Sequence, residues 1–306
     1  MNQRTKAHIG LLMTNLFFAI NLSAVKYLTS NQLIGPFGLN LIRVGVSVIL
    51  FWMLFAFSGN PLRLPHKSDW LRFAGCALTG IAINQLLFLK GLSLTLSIHA
   101  ALLMLSTPLL ITFLAGWLLK ENIGWLKLTG LALGISGASL LIAGRDQSEG
   151  SGSLVLLGDL LILINAASYT IYFVMVKPLM HRYAPLEVIR WAFTLGFFMI
   201  LPFCWSEFKA ADWHQFDHTA ILCLILIVIG GTFLAYLFNI RGIQILGASV
   251  AGSYIYLQPV FAAIIARVFL GEPITLQKTG AAVLIFTGVF LATRKSKEPA
   301  EVENIA

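Results

Sequence analysis

At 306 residues, with 58% hydrophobic side chains, 11% charged side chains and a mean hydropathy of +0.85, the chain has too little polar surface to coat a water-soluble globule. Its net charge of +8 and isoelectric point near 9.5 come from basic residues flanking apolar runs, so no nucleic-acid partner is needed to explain them. What remains is a protein whose surroundings are the lipid bilayer.

A membrane-crossing helix needs about 20 mostly apolar residues to cover about 30 Å of hydrocarbon. Ten such segments run at 8–28, 37–57, 71–91, 96–119, 123–143, 153–176, 187–206, 218–240, 247–270 and 274–293. They are continuously apolar where barrel strands would alternate, so helices are expected. Arg4, Lys6 and His8 precede the first run in the manner of a secretory signal. That run contains Asn15 and Asn21 and continues past the length of a signal core, so it is expected to be retained. A basic, Pro-rich loop, PLRLPHKSDW, separates the second and third segments, and RDQSEGSGS separates the fifth and sixth. From Arg294 onward the chain reads as a solvated tail, with 297–306 expected to be disordered.

The chain repeats itself. Pro108 to Glu121, PLLITFLAGWLLKE, returns as Pro259 to Glu272, PVFAAIIARVFLGE. The offset of 151 residues also carries Lys26 onto Lys177, Gly80 onto Gly231, Gly91 onto Gly242 and Gly137 onto Gly288. One register over so much chain predicts two halves, 1–148 and 153–296, of five helices each. Basic residues set the orientation: with a cytoplasmic N-terminus, fourteen Lys and Arg lie inside and six outside, so both termini are expected in the cytoplasm. Because five is odd, the second half would run inverted, as transporters built for alternating access do.

The ten segments in two fives, Lys26 near the end of the first, the Pro108–Glu121 element with its copy, and the glycines of the fifth and tenth segments resemble the EamA-like family of the drug/metabolite transporter superfamily. The resemblance implies an all-α integral membrane protein with ten transmembrane helices as two inverted five-helix repeats. It further implies a multi-pass exporter of the bacterial inner membrane, with a central cavity lined mainly by helices 1, 3, 4, 6, 8 and 9.

Polar groups inside spans are the candidates for substrate contact, because burying them in lipid is costly. No Asp or Glu falls deep within a predicted span. Export of cationic drugs against protons is thereby disfavoured, and a neutral, zwitterionic or anionic substrate is expected. Arg43, seven residues beyond Pro36, is the candidate for a substrate carboxylate or for bracing helix 2. The expected pocket is lined by Asn15, Asn84, Gln85, Tyr169, Tyr172, Tyr236, Asn239, Tyr254 and Gln258, an amide and aromatic set suited to an amino acid. Lys26 and Lys177 are placed at opposite mouths as gating or snorkelling residues, and Pro108 and Pro259 are expected to kink their helices. Glu121 and Glu272 are read as caps of the helices that follow them. His99 is expected at a wetted interface. Gly130, Gly134 and Gly137 should meet Gly280 and Gly288, either within the chain or, alternatively, across a homodimer.

No metal-ligand spacing, nucleophile elbow, phosphate loop or disulfide framework is present, so no metal, cofactor or enzymatic activity is expected. Export of amino acids or related metabolites leads. Exchange of sugar phosphates or nucleotide sugars is the alternative, and a membrane-embedded enzyme is the rival from a different class.

Overall fold

A computed structural model describes residues 2–57, 64–105, 107, 110, 125–143, 152–180, 182–246, 254 and 257–293. All regular structure among them is helical. In chain order the helices are α1 (Gln3–Ser30), α2 (Pro36–Phe57), α3 (Lys67–Leu94), α4 (Ser97–Met104), α5 (Trp125–Ala143), α6 (Gly152–Met180), α7 (Pro185–Ala210), α8 (218–246), α9 (Gln258–Leu270) and α10 (Leu276–Thr293). Among the described residues six helices, α1, α2, α3, α6, α7 and α8, are long and apolar enough to cross a membrane, and α5, α9 and α10 contain shorter apolar helices. Pro108 and Glu121, with the second half of the fourth predicted span and the first part of the ninth, lie outside the described residues, as does the tail 297–306.

Helix ends follow from local chemistry. Asn31 closes α1, its amide donating to the Tyr27 carbonyl at 2.9 Å. The free amides of Phe37 and Gly38 at the start of α2 donate to the Glu207 carboxylate from the end of α7, at 2.7 and 3.2 Å. Asp217 caps α8 by accepting from Ala220 N at 2.7 Å. Helix α9 ends at Gly271, whose φ of 69° is a left-handed stop. The end of the bundle that carries the N-terminus is called proximal below, and the opposite end distal.

Close helix pairs are made at glycines, as expected where lipid offers no hydrophobic drive between helices. Here the 151-residue offset reappears in contacts. A Cβ at Gly80 on α3 would meet the Tyr172 ring of α6 at 2.5 Å, and one at Gly231 on α8 would meet Asn21 of α1 at 2.7 Å. Gly91 likewise faces Ile162, at 3.1 Å, and Gly242 faces Leu11, at 2.4 Å. Both members of each pair are related by the offset. Gly80 and Gly231 also sit in matching π-helical turns, Leu78–Ala82 and Leu226–Leu234, a feature frequent at functional sites.

Helices α5 and α10 pack face to face within the chain, where a Cβ at Gly288 would lie 2.6 Å from both Gly130 O and Gly134 N. These neighbours are backbone and cannot rotate away. Gly288→Ala is therefore expected to cost about 1–3 kcal/mol, read as a lower melting temperature of the purified protein. An unchanged melting temperature would show that this seam is loose.

Around α2 and α7 the core is aromatic. Phe51 is wedged against Phe193 and Phe233, each with ring centroids 5.3 Å away. Trp52 meets Trp191 at 5.5 Å while its indole N–H donates to Thr194 Oγ1 at 3.0 Å.

Candidate functional site

The polar centre of the bundle is Arg43. Seven residues into α2 and only 5% exposed, its guanidinium donates through Nε to Thr232 Oγ1 at 2.8 Å and lies 5.9 Å from the centre of the Phe88 ring. The π-turn of α8 aims Thr232, whose hydroxyl donates in turn to the Ile227 carbonyl at 3.0 Å. Arg43 Nη1 has no hydrogen-bond partner. Gln85, one turn from Phe88 on α3, is 2% exposed, and both its amide atoms lack partners. Asn21, packed on Gly231 beside Thr232, has an unpaired Oδ1. Tyr236 completes the wall, edge-on to Phe193 and Phe18 at 5.3 and 6.4 Å. No ion pair of Arg43 with an Asp or Glu occurs among the described residues. Unsatisfied donors and acceptors inside a membrane protein are costly, and these match a ligand bearing a carboxylate and hydrogen-bonding neighbours.

Several expected pocket residues have other duties. Asn84 and Asn165 exchange amides with each other's backbone carbonyls, Asn165 Nδ2 to Asn84 O at 2.6 Å and Asn84 Nδ2 to Asn165 O at 3.3 Å, so Asn84 clasps α3 to α6. Asn15 donates to Leu11 O of its own helix at 2.8 Å. Tyr254 meets His8 Nδ1 at 2.7 Å at the proximal end, away from Arg43. Tyr169 and Tyr172 pack on one another, centroids 5.5 Å apart, with Tyr172 against Gly80, and both stand within electrostatic reach of Tyr236, so they border the Arg43 cluster. Asn239 is half-buried on α8, and Gln258 and Pro259 are buried at the start of α9. Lys177 falls in α6, but its side chain is outside the described residues.

Thr232, Phe88 and Asn21 belong to the cluster without having been in the expected lining. Thr232 had a faint signal in the Gly230–Gly231 pair before it, which permits the close approach of α1. Asn21 had a better one: it is the repeat partner of Tyr172.

A second cluster closes the distal end. Lys26 on α1 donates to Thr95 O at 2.6 Å and Ser93 O at 3.2 Å, at the end of α3. The Thr95 hydroxyl donates to Asp159 on α6. His99 on α4 meets the other Asp159 oxygen at 3.3 Å. His99 is thus buried, at 3% exposure, where the sequence predicts a wetted residue; its partner comes from a helix sixty residues away in the chain. Glu272 departs from expectation as well. Its carboxylate accepts from Ser97 N and Ile98 N, at 2.9 and 3.1 Å, and so caps α4 rather than α10. A helix N-terminus brought alongside by folding outcompetes the next one in sequence. Four helices, α1, α3, α4 and α6, and the loop that follows α9 are joined by this network. At the proximal end no comparable packing joins α6 to the C-terminal part of α8 among the described residues.

The EamA-like transporter family model matches residues 5–143 and 156–294. A transporter of Archaeoglobus fulgidus is 25% identical over 96% of this chain and 99% of its own length. A probable terminal-alkyne amino-acid exporter of Streptantibioticus cattleyicolor is 29% identical, over 86% of this chain and 85% of its own. A solved crystal structure superposes with a TM-score of 0.61 at 20% identity, covering 92% of this chain and 96% of that one, which speaks for the fold.

Proposed function

The chain belongs to the EamA-like transporter family, and from that premise we propose that it exports small neutral or zwitterionic metabolites bearing a carboxylate, amino acids first among them, across the bacterial inner membrane. As a multi-pass membrane protein it would hold its substrate against Arg43, between the two matched π-turns. The observation that carries this reading is the free Nη1 of the buried Arg43, with the unpaired Gln85 amide and the unpaired Asn21 Oδ1 on the helices around it. A guanidinium offers a carboxylate paired donors in a fixed fork. The amino-acid exporter named above supports the substrate class.

Alternating access through two inverted five-helix halves, 1–148 and 153–296, accounts for the pairwise matching of glycine contacts under one offset. In that scheme the proximal end is cytoplasmic, both termini lie inside, and Lys26 holds the outer mouth shut while Lys177 is its counterpart at the inner mouth. The described conformation is then closed to the outside. Sugar-phosphate exchange would call for several cations around the ligand, and in the described cluster Arg43 stands among neutral side chains.

Counterflow in proteoliposomes tests the proposal. Vesicles loaded with unlabelled neutral amino acids should accelerate uptake of a labelled one, and loading with the corresponding amino amides should not. Acceleration by phosphorylated sugars alone would overturn it.

A further inference from the structure

A site on the other side of the α1–α8 pair has chemistry of its own. A cavity of about 340 Å³ lies between these helices at the proximal end, with Lys6 and Arg241 at its lining and Ile9, Met13, Phe238 and Ile245 as its apolar walls. It does not belong to the Arg43 cluster. On α8, Tyr236 faces Phe193 and Arg43's surroundings, and Phe238, two residues on, points about 200° away around the helix. Residues 3, 6, 10 and 13 of α1 form one stripe along the groove, and residues 238, 241 and 245 form its partner on α8. Ile9 and Ile245 are 44% and 41% exposed, so the groove opens outward from the bundle rather than into it. His8, bonded to Tyr254, turns the opposite way.

Among the described residues no acidic side chain lines the groove. Its two cations sit at the helix ends, Lys6 near the start of α1 and Arg241 late in α8, where a headgroup layer would lie. The apolar walls of Ile9, Met13 and Phe238 continue from them toward the bilayer core, while Ile245 lies one turn to the headgroup side of Arg241, and beyond the groove Phe17 stacks on Phe238 with centroids 6.5 Å apart. A free anion would use the cations and leave the apolar walls bare. Cations at one end and an open apolar channel at the other match one molecule that carries both features.

We infer that this groove is a binding site for an anionic phospholipid of the proximal leaflet, its phosphate held by Lys6 and Arg241 and an acyl chain laid along Ile9, Met13 and Phe238. The site is independent of what the protein transports. A lipid seated there bridges the two helices whose contact at Gly10 and Gly242 brings the halves of the chain together, and so is placed to steady them.

Native mass spectrometry of the purified full-length protein, titrated with phosphatidylglycerol or phosphatidylcholine of the same acyl chains, tests this. Wild type should retain phosphatidylglycerol about thirtyfold better, the scale expected for two basic residues at a headgroup. The Lys6→Gln/Arg241→Gln double variant should lose the preference while binding phosphatidylcholine as before. A Lys6→Arg/Arg241→Lys variant should keep it, which separates charge from fold. Equal retention of the two lipids by wild type, or an undiminished preference in the Gln variant, would overturn the site. Displacement of bound phosphatidylglycerol by millimolar glycerol phosphate would overturn the lipid assignment and leave a soluble-anion site.

Discussion

Arg43→Gln should lower kcat/KM for amino-acid export by about 100-fold, the equivalent of losing a charge-assisted hydrogen bond of about 3 kcal/mol. Arg43 is anchored by Thr232 through Nε and leaves Nη1 unpaired, so the substrate's carboxylate is the natural second partner of its fork. Glutamine keeps a donor but loses the charge and the second arm. Arg43→Lys should fall nearly as far, because one ammonium cannot hold Thr232 and present a paired edge to a ligand. The structural rival, in which Arg43 only braces α2 against α8, makes a different prediction. It expects the melting temperature to drop and transport of every substrate to fall together. The discriminating comparison is between an amino acid and its amide, assayed in variant protein that elutes as a single species from size exclusion. A loss confined to the carboxylate-bearing substrate supports the site, and an equal loss of both sinks it.

How far the sequence alone reveals this centre depends on whether the signal is local or made by folding. Segment positions follow from apolar length, a local property, and among the described residues helices appear where the runs do, six of them long enough to cross a membrane. The offset of 151 residues was visible as matching residue types, and its structural counterpart is the matched set of glycine approaches. Arg43, Gln85 and Tyr236 stand out in a sequence because polar groups in apolar runs are rare. Thr232 does not: hydroxyls are unremarkable in membrane helices, and its value arises only when a π-turn on α8 faces α2. The same holds for the roles that changed. Asn84 reads as a pocket amide until Asn165 arrives from α6 to pair with it, and Glu272 reads as a cap for its own successor until α4 is delivered beside it. In each case the deciding partner is distant in sequence: Glu272 and Ser97 are separated by 175 residues.

Asp159→Ala is expected to loosen the distal closure. The carboxylate, 1% exposed, is accepted into a buried site only because Thr95 donates to one oxygen and His99 meets the other. Its removal leaves a hydroxyl and an imidazole without partners, at a cost of about 2–4 kcal/mol to the closed arrangement. The open arrangement, in which those groups meet water, suffers no such loss, so the balance between them moves by the same amount. A shift of that size is enough to raise a minor open population at least tenfold. The measurement is labelling of an Ala101→Cys reporter by an impermeant maleimide added from outside, with Cys76, Cys204 and Cys223 replaced by serine. Ala101 is 2% exposed, one turn below the amides that Glu272 holds, so its reactivity reports opening of the seam above it. Faster labelling in Asp159→Ala, with a smaller rise in Asp159→Asn, would identify the cluster as the outer gate. If labelling stayed at the wild-type rate while the melting temperature fell, the cluster would be a static clasp, and the outer gate would have to be sought elsewhere along α1.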